Sequence, residues 1–234
     1  IKLKTKIDPV ALCCWVFFIA YIFDIIFKNM EDQRFTIYNE GDVYIGGNIF
    51  RGARLSEKVG IDQEVGDYMG MLGTVINAIG LAGVLRNKGV SATVFSAVSA
   101  INDIALPYNP EEVIKHLNNN EVCFLAGGTG KPYFTTDTAA TMRALENKCD
   151  AILMGKNGVK GVYDKDPLKY NDAKFFETIT YKEMISLGIQ IMDQSAIDLI
   201  KDTDIEILVF SMADPNNFIK AAEGINVGTI CRRK

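Results

Sequence analysis

The sequence predicts an α/β fold with a mainly parallel sheet that helices cover on both faces. Short apolar runs typical of buried strands alternate with stretches in which apolar residues recur at helical spacing. Alternating strands and helices build parallel sheets of this kind. With 234 residues, 48% of them apolar, the chain is long enough to bury the core of one large domain. We therefore expect a single domain over residues 1–234.

The first 41 residues are an atypical segment. A run of fourteen apolar residues, VALCCWVFFIAYIF (10–23), lies between the basic start IKLKTK and Asp24. A membrane-spanning helix needs about 20 apolar residues, and we find no small-residue site at which a signal peptide would be cleaved. We favour a buried or interface helix; a membrane or signal segment and a damaged start are the alternatives. No other stretch is apolar enough to raise the question of a membrane.

The strands and helices follow in order from residue 41. The segment 66–88 is predicted as a helix because apolar residues recur at helical spacing, among them Met69, Leu72 and Ile76. Five apolar runs are predicted as strands: DVYIGG (42–47), SATVFSAV (91–98), EVCFLAGG (121–128), DAILMG (150–155) and IEILVFS (205–211).

Two later helices have recognisable starts. Thr180 with Glu183 three residues on forms a capping box before the run MISL. Asp193 lies where an N-cap belongs, before QSAIDLI. Both segments are therefore predicted to begin helices at these residues.

Charge and cysteine content exclude two classes of protein. The 25 Lys and Arg against 29 Asp and Glu leave no basic surface for nucleic-acid phosphates, so no nucleic-acid partner is expected. The five cysteines are odd in number and lack metal-ligand spacing, which argues against a secreted disulfide framework. A reducing cytoplasm is the expected location.

Three glycine-rich loops follow predicted strands, where ligands of open α/β sheets bind. IGGNIFRG (45–52) offers backbone N–H groups and Arg51 to an anion. GGTGKPYFTTD (127–137) carries Thr135 and Thr136 at an expected helix start, and GKNGVKGVYDKDP (155–167) adds Asn157, Tyr163 and Asp166, which could hold a base and ribose. The alternative for each loop is a tight structural turn.

Familiar catalytic motifs are missing. Lys131 is followed by Pro132, not by the Ser or Thr of a Walker A loop, and GGNIFRG does not match GxGxxG. His116, the only histidine, lies in a polar segment and is expected on the solvated surface of a helix. A catalytic triad and a histidine metal site therefore have little support.

Five segments together have a recognisable order and spacing: GGNIFRGARL, VGDYMGMLGTVINA, AGGTGKPYFTTDTAA, GKNGVKGVYDKDP and IQIMDQSA. Over roughly residues 42 to 231 they resemble bacterial uridylate kinases of the amino-acid kinase superfamily. The resemblance implies an α/β/α sandwich, ATP and Mg²⁺, conversion of UMP to UDP for pyrimidine nucleotide synthesis, and a homohexamer with GTP and UTP as effectors.

The resemblance also implies site residues. Those that match UMP contacts are Gly46, Asp67, Thr129, Gly130, Lys131, Pro132, Tyr133, Phe134, Thr135 and Thr136. Those that match ATP contacts are Gly47, Arg51, Asn157, Tyr163 and Asp166. Those with an implied catalytic role are Asp137, Asp193, Arg51 and Lys2.

The chemistry of phosphoryl transfer suits these residue types. A phosphate monoester is largely dianionic at neutral pH, because its second pKa is about 6, so UMP needs no general base. The barrier lies in bringing two anions together, which positive groups and glycine-loop N–H groups lower. Asp137 and Asp193 are then expected to orient magnesium and the transferring phosphoryl group. Each could instead be a helix N-cap, or do both.

Two departures from the family concern the N-terminal region. The family opens with a KLSGE-type phosphate loop, whereas here Lys2 and Leu3 are the nearest match and no Ser-Gly-Glu follows. Ile45 also replaces the first of three glycines before the asparagine. The alternatives to a UMP kinase are therefore a nucleotide-binding, catalytically impaired homologue and a sister kinase that acts on a carboxylate or carbamate.

Overall fold

The structure is a computed structural model, which describes residues 60–98, 100–156, 158–214 and 216–234. The described residues form two compact units that follow one another in the chain at the bond between Thr136 and Asp137. We call residues 60–136 the N-terminal unit and residues 137–234 the C-terminal unit. The expected strand at 42–47 and the apolar run at 10–23 lie outside the described residues, and the single domain over 1–234 stays a prediction.

The N-terminal unit contains a parallel sheet of three strands in the order β2-β1-β3. Strands β1 and β3 pair along their whole length, from Ala92 opposite Val122 to Ser96 opposite Ala126. Between these two strands, α2 returns the chain to the end of the sheet at which β1 begins, as parallel pairing requires. The elements are α1 (Gln63–Asn87), β1 (Ala92–Ser96), β2 (Leu106–Pro107), α2 (Pro110–Asn118) and β3 (Val122–Ala126).

Helix α1 covers this sheet with one apolar face. Its buried side chains recur every three or four residues, and they pack against the apolar side chains of β1 and β3. The core consists of Val75, Ala78, Leu81, Ala82, Ala92, Val94, Ala105, Phe124 and Ala126.

Helix α1 is also long and apolar enough to cross a membrane, by length and composition alone. It has 25 residues, and its most apolar window has a mean hydropathy of 1.6 with 33% of it buried. The expectation that only residues 10–23 raise the question of a membrane is therefore wrong. A core helix of a soluble protein and a signal sequence meet the same criterion, so length and composition alone do not make α1 a membrane helix.

The C-terminal unit contains a sheet of four strands in the order β4-β6-β7-β5. Strand β6 is parallel to β4 and antiparallel to β7, and β7 is parallel to β5. The elements are α3, which begins one residue before the unit (Thr136–Glu146), β4 (Ala151–Lys156), β5 (Thr178–Thr180), α4 (Tyr181–Leu187), α5 (Gln194–Ile200), β6 (Glu206–Ser211), α6 (Asn216–Ala222) and β7 (Gly228–Arg232).

Both helix starts predicted from the sequence are confirmed. The Thr180 hydroxyl accepts the Glu183 N–H at 3.1 Å, and the Glu183 carboxylate accepts the Thr180 N–H at 2.8 Å, which is a complete capping box before α4. The Asp193 side chain caps α5 by accepting the N–H of Ala196 at 2.9 Å. These bonds satisfy N–H groups that lack a partner within the helix.

One cysteine lies in the central part of each unit. Cys123 in β3 and Cys231 in β7 are both buried and unpaired. Burial raises the pKa of each thiol to about 12, because a thiolate would lose its hydration there. Both thiols are therefore protonated at neutral pH.

The α/β class and the dominance of parallel pairing are confirmed. Four of the predicted strands, at 91–98, 121–128, 150–155 and 205–211, are present within one or two residues of their expected bounds. Among the described residues the strands belong to two sheets, one in each unit. Three further strands, β2, β5 and β7, were not predicted.

The expectation for His116 is half right. It lies in helix α2 as predicted, but its side chain is only 28% exposed and its Nδ1 lies 3.0 Å from the Glu121 carboxylate. Its ring also packs edge to face on Phe95, with 5.3 Å between ring centroids. The expectation of a solvated side chain is wrong because a turn after α2 returns Glu121 to the histidine.

Candidate functional site

In the N-terminal unit, the loop after β3 packs closely on the end of β1. Gly127 and Gly130 have left-handed backbones, with φ of +82° and +79°, and the Gly130 N–H closes a turn onto the Gly127 carbonyl at 2.9 Å. A methyl carbon on Gly130 would lie 2.6 Å from the carbonyl oxygen of Ala97. Glycine is therefore required at residue 130 by both conformation and space.

Helix α1 holds the same loop from another direction. The carboxylate of Asp67 accepts the backbone N–H of Tyr133 at 2.9 Å, and the hydroxyl of Thr74 accepts the N–H of Gly127 at 2.8 Å. Tyr133 itself has a left-handed backbone, with φ of +67°. A residue other than glycine adopts that conformation at a cost, so the bond from Asp67 helps to keep Tyr133 in it.

The outer part of the loop faces solvent. The side chains of Tyr133 and Phe134 are 64% and 55% exposed. The Thr129 hydroxyl donates to the Lys131 carbonyl at 3.0 Å and accepts the Lys131 N–H at 3.1 Å, which fixes the turn before Pro132. The loop then enters α3 at Thr136, so a helix N-terminus follows it, as predicted.

In the C-terminal unit, Asp137 and Asp193 lie side by side. The backbone N–H of Asp193 donates to the Asp137 carboxylate at 3.1 Å. The Thr138 hydroxyl donates to the Asp193 carboxylate, at 3.3 and 3.4 Å from its two oxygens. Because Asp193 also caps α5, the expectation that these aspartates could serve as caps is confirmed for Asp193.

Lys156 supplies positive charge to this pair. It ends β4, and its ammonium group donates to the carbonyl of Ile191, two residues before Asp193, at 3.0 Å. Burial raises the pKa of Asp137, and the charge of Lys156 partly opposes that effect. The cluster therefore combines two carboxylates with one ammonium group. Thr138 and Lys156 lie in segments that carry the family resemblance, but they were not predicted as site residues.

The loop after β4 holds the two other described candidates, Tyr163 and Asp166. Tyr163 forms an isolated bridge with Phe175, and their rings pack edge to face with centroids 5.3 Å apart. Asp166 accepts the Leu168 N–H at 3.0 Å and forms an exposed ion pair with Lys169 at 3.3 Å. Asp166 therefore has a turn-forming role whether or not it meets a ligand.

The structure brings together some of the predicted site residues. Asp67 contacts the loop 129–135, and Asp137 contacts Asp193, although 66 and 56 residues separate the bonded partners in sequence. Tyr163 and Asp166 share the loop after β4. Lys2, Gly46, Gly47, Arg51 and Asn157 lie outside the described residues.

The sequence is similar to proteins of known family. A model described as the amino acid kinase family matches residues 26–211. A uridylate kinase from Ruegeria sp. (strain TM1040) is 46% identical over 181 residues, which are 76% of this chain and 72% of the relative. A uridylate kinase from Mycoplasmopsis synoviae (strain 53) is 42% identical over 209 residues, which are 88% of this chain and 87% of the relative.

A solved structure is similar as well. The crystal structure of a UMP kinase from Bacillus anthracis matches with a TM-score of 0.76 and 34% sequence identity. The match covers 92% of this chain and 85% of that protein. Its extent shows that the likeness is one of fold and is not confined to the glycine-rich loops.

Proposed function

Since the chain belongs to the amino acid kinase family, and within it to the uridylate kinases, we propose that it transfers a phosphoryl group from ATP to UMP and so forms UDP and ADP. The observation that carries most of this proposal is the hydrogen bond from the Tyr133 N–H to Asp67. The resemblance assigns both residues to UMP, and they lie within 2.9 Å across 66 residues of sequence.

The UMP contacts are proposed in the N-terminal unit. The loop leads into the start of α3 at Thr136, and a helix start offers backbone N–H groups of the kind that receive a nucleotide phosphate. The carboxylate of Asp67 has a second oxygen, which we assign to a ribose hydroxyl. With Gly46, the proposed set is Asp67, Thr129, Gly130, Lys131, Pro132, Tyr133, Phe134, Thr135 and Thr136.

The ATP contacts are proposed in the loops after the first expected strand and after β4. Tyr163 and Asp166 would hold the base and ribose of ATP, together with Asn157. Gly47, Arg51 and Lys2 would meet the phosphates, where positive charge and backbone N–H groups lower the repulsion between donor and acceptor. Within this set, Arg51 and Lys2 would supply the positive charge.

Mg²⁺ is the metal that we propose for the reaction. Mg²⁺ is usually held by one or two carboxylates together with substrate phosphates and water. Asp137 and Asp193 fit that pattern, because they are two carboxylate residues in contact: the Asp137 carboxylate accepts the backbone N–H of Asp193 at 3.1 Å. The ion would neutralise charge on the transferring phosphoryl group.

We assign no general base to the reaction. The acceptor oxygen of UMP is already anionic at neutral pH, so both aspartates would act by orientation and charge. The positive charge of Lys156 lowers the pKa of Asp137 and so would stabilise the ionised carboxylate before the metal ion binds.

Assembly, regulation and location are proposed from the family. We propose a homohexamer whose activity responds to GTP and UTP, with a role in pyrimidine nucleotide synthesis. We propose the cytoplasm as its location, since Cys123 and Cys231 are free thiols, as a reducing compartment allows.

A coupled assay that detects ADP tests the function. The protein should release ADP with ATP and UMP, more slowly with CMP, and not with glutamate or aspartate as acceptor. Turnover with an amino acid and not with UMP would assign the chain to a sister kinase. Binding of UMP without turnover would support the impaired homologue.

Lys2→Ala tests whether the atypical start supplies the phosphate-loop lysine. If it does, most turnover should be lost while calorimetry still detects UMP binding, because the lysine acts on the ATP phosphates. Unchanged turnover in Lys2→Ala would remove Lys2 from the proposed catalytic set. Lys4→Ala is the matched control, since it deletes a neighbouring lysine that no assignment uses.

A further inference from the structure

One face of α1 lies along the loop 127–133. Asp67, Met71 and Thr74 are spaced four and three residues apart, which puts them on the same side of a helix. Asp67 bonds the far end of the loop, as described above. A methyl carbon on Gly128 would make an ordinary contact, 3.7 Å, with the side chain of Met71. The loop therefore follows this helix face from one end to the other.

Thr74 contacts the near end of the loop with a hydroxyl of fixed orientation. The hydroxyl donates its only proton to the carbonyl of Met71, one turn earlier in α1, at 2.7 Å. Its oxygen lone pairs are then free to accept the N–H of Gly127 at 2.8 Å. Both bonds are within the protein, so the hydroxyl is occupied without a ligand.

Gly127 needs this acceptor. The residue is buried and has a left-handed backbone, and a methyl carbon on it would lie 3.0 Å from the Ala97 nitrogen. A buried N–H that loses its partner destabilises the conformation that buries it. Without the Thr74 hydroxyl, the near end of the loop would move to find another acceptor, and Gly130 and the residues after it would move with it.

We propose that Thr74 is a positioning residue for the acceptor nucleotide, because its hydroxyl holds the loop 127–133 in the conformation that receives UMP. Thr74 acts through Gly127 and does not itself touch the nucleotide. The inference rests on the proposed function in one respect, the identity of the nucleotide as UMP. The effect of Thr74 on the conformation of the loop does not depend on that identity. Together with Asp67, Thr74 fixes both ends of the loop to one rigid helix.

Thr74→Val tests the proposal, since it keeps the branched shape and removes the hydroxyl. We expect the KM and the dissociation constant for UMP to rise about tenfold, which is the size of effect that a buried unpaired N–H produces. The KM for ATP and the kcat should change less than twofold. Thr74→Ser, which restores the hydroxyl, should return the UMP constants to within twofold of wild type.

Thr203→Val is the matched control. The Thr203 hydroxyl likewise donates to a helix carbonyl, that of Ile200 at 2.8 Å, and accepts an N–H, that of Ile205 at 3.3 Å. Its removal should lower the melting temperature without a selective change in the KM for UMP. A purely structural role for Thr74 would make Thr74→Val behave in the same way.

Amide hydrogen exchange of the protein without nucleotide separates this inference from the proposed function. Exchange of the peptide that contains residues 127–133 should be faster in Thr74→Val than in wild type, Thr74→Ser or Thr203→Val. If Thr74→Val does not fold, Thr74→Ala takes its place. Unchanged loop exchange, or unchanged UMP affinity in a protein that binds UMP, overturns the inference. If the wild-type protein binds no UMP, the proposed function fails, and the nucleotide part of the inference fails with it.

Discussion

Gly130→Ala should destabilise the N-terminal unit more than any other glycine replacement in its loop. The change adds one methyl group at a residue whose φ is +79°. That methyl carbon would lie 2.6 Å from the Ala97 carbonyl oxygen and 3.3 Å from the Ala97 carbonyl carbon. The obstacle is backbone, which cannot rotate away as a side chain would.

Two costs add up at this residue. A left-handed backbone costs an alanine about 1–2 kcal/mol relative to glycine. Forcing an extra methyl group into a packed site costs about 1–3 kcal/mol. The expected loss in the free energy of unfolding is therefore roughly 2–5 kcal/mol, a large share of the total of about 5–15 kcal/mol that is typical of a domain.

Gly128→Ala is the matched control. Gly128 also has a left-handed backbone, with φ of +57°, but its added methyl would lie at an ordinary 3.7 Å from the Met71 side chain. It should lose only the conformational cost of about 1–2 kcal/mol. The difference between the two variants therefore measures the contact between Gly130 and Ala97.

Urea unfolding followed by circular dichroism gives the free energies, and calorimetry with UMP reports the effect on the loop. Gly130→Ala should lose UMP binding more completely than Gly128→Ala. Equal losses of stability in the two variants would refute the reasoning, because they would mean that residue 130 has room for a side chain.

Four further predictions concern individual carboxylates. Asp67→Asn should raise the KM for UMP about tenfold or more before it changes that for ATP, because a hydrogen bond to a charged group is worth about 1.5–3 kcal/mol; steady-state kinetics that show equal effects on both substrates would contradict the assignment. Asp137→Asn should lower kcat by about 100-fold or more while calorimetry still detects UMP, and near-normal turnover would leave Asp137 without a catalytic role. The same variant should raise the melting temperature without nucleotide at neutral pH: burial raises the pKa of Asp137, so the folded state loses stability as pH rises through that pKa, and the gain should vanish in acid below about pH 4. The hydrogen bond with His116 lowers the pKa of Glu121. The ionised carboxylate therefore stabilises the fold above its ordinary pKa of about 4.3, and that contribution is lost as pH falls through the lowered pKa. Glu121→Gln should melt at a lower temperature than wild type at pH 7 and at a similar temperature at pH 2.

The long elements could be predicted because their signals are local. Buried parallel strands such as β4 and β6 read as continuous apolar runs, and the starts of α4 and α5 carry their own capping residues. Strands β2 and β5 have only two and three residues, and they are strands because each pairs with a neighbouring strand. Segments this short have no residue pattern that would predict them. The antiparallel pairing of β7 with β6 is likewise a tertiary property.

The candidate site divides in the same way. Glycines, aspartates and hydroxyl residues after strands drew attention to the loop 127–137 because their chemistry is visible in the sequence. Thr74 and Lys156 were missed, since a threonine inside a helix and a lysine at a strand end are ordinary residues in sequence. Only the fold puts the first next to Gly127 and the second next to the Asp137 carboxylate.

The two buried cysteines give the protein a reporter in each of its units. Alkylating reagents attack thiolates that solvent can reach, and Cys123 and Cys231 offer neither exposure nor charge while their sheets are intact. Each can be modified only when its own strand opens. Pulsed alkylation with peptide mass spectrometry would therefore record the opening rate of the N-terminal unit at Cys123 and of the C-terminal unit at Cys231. The same experiment with UMP or ATP added would show in which unit each nucleotide slows the alkylation.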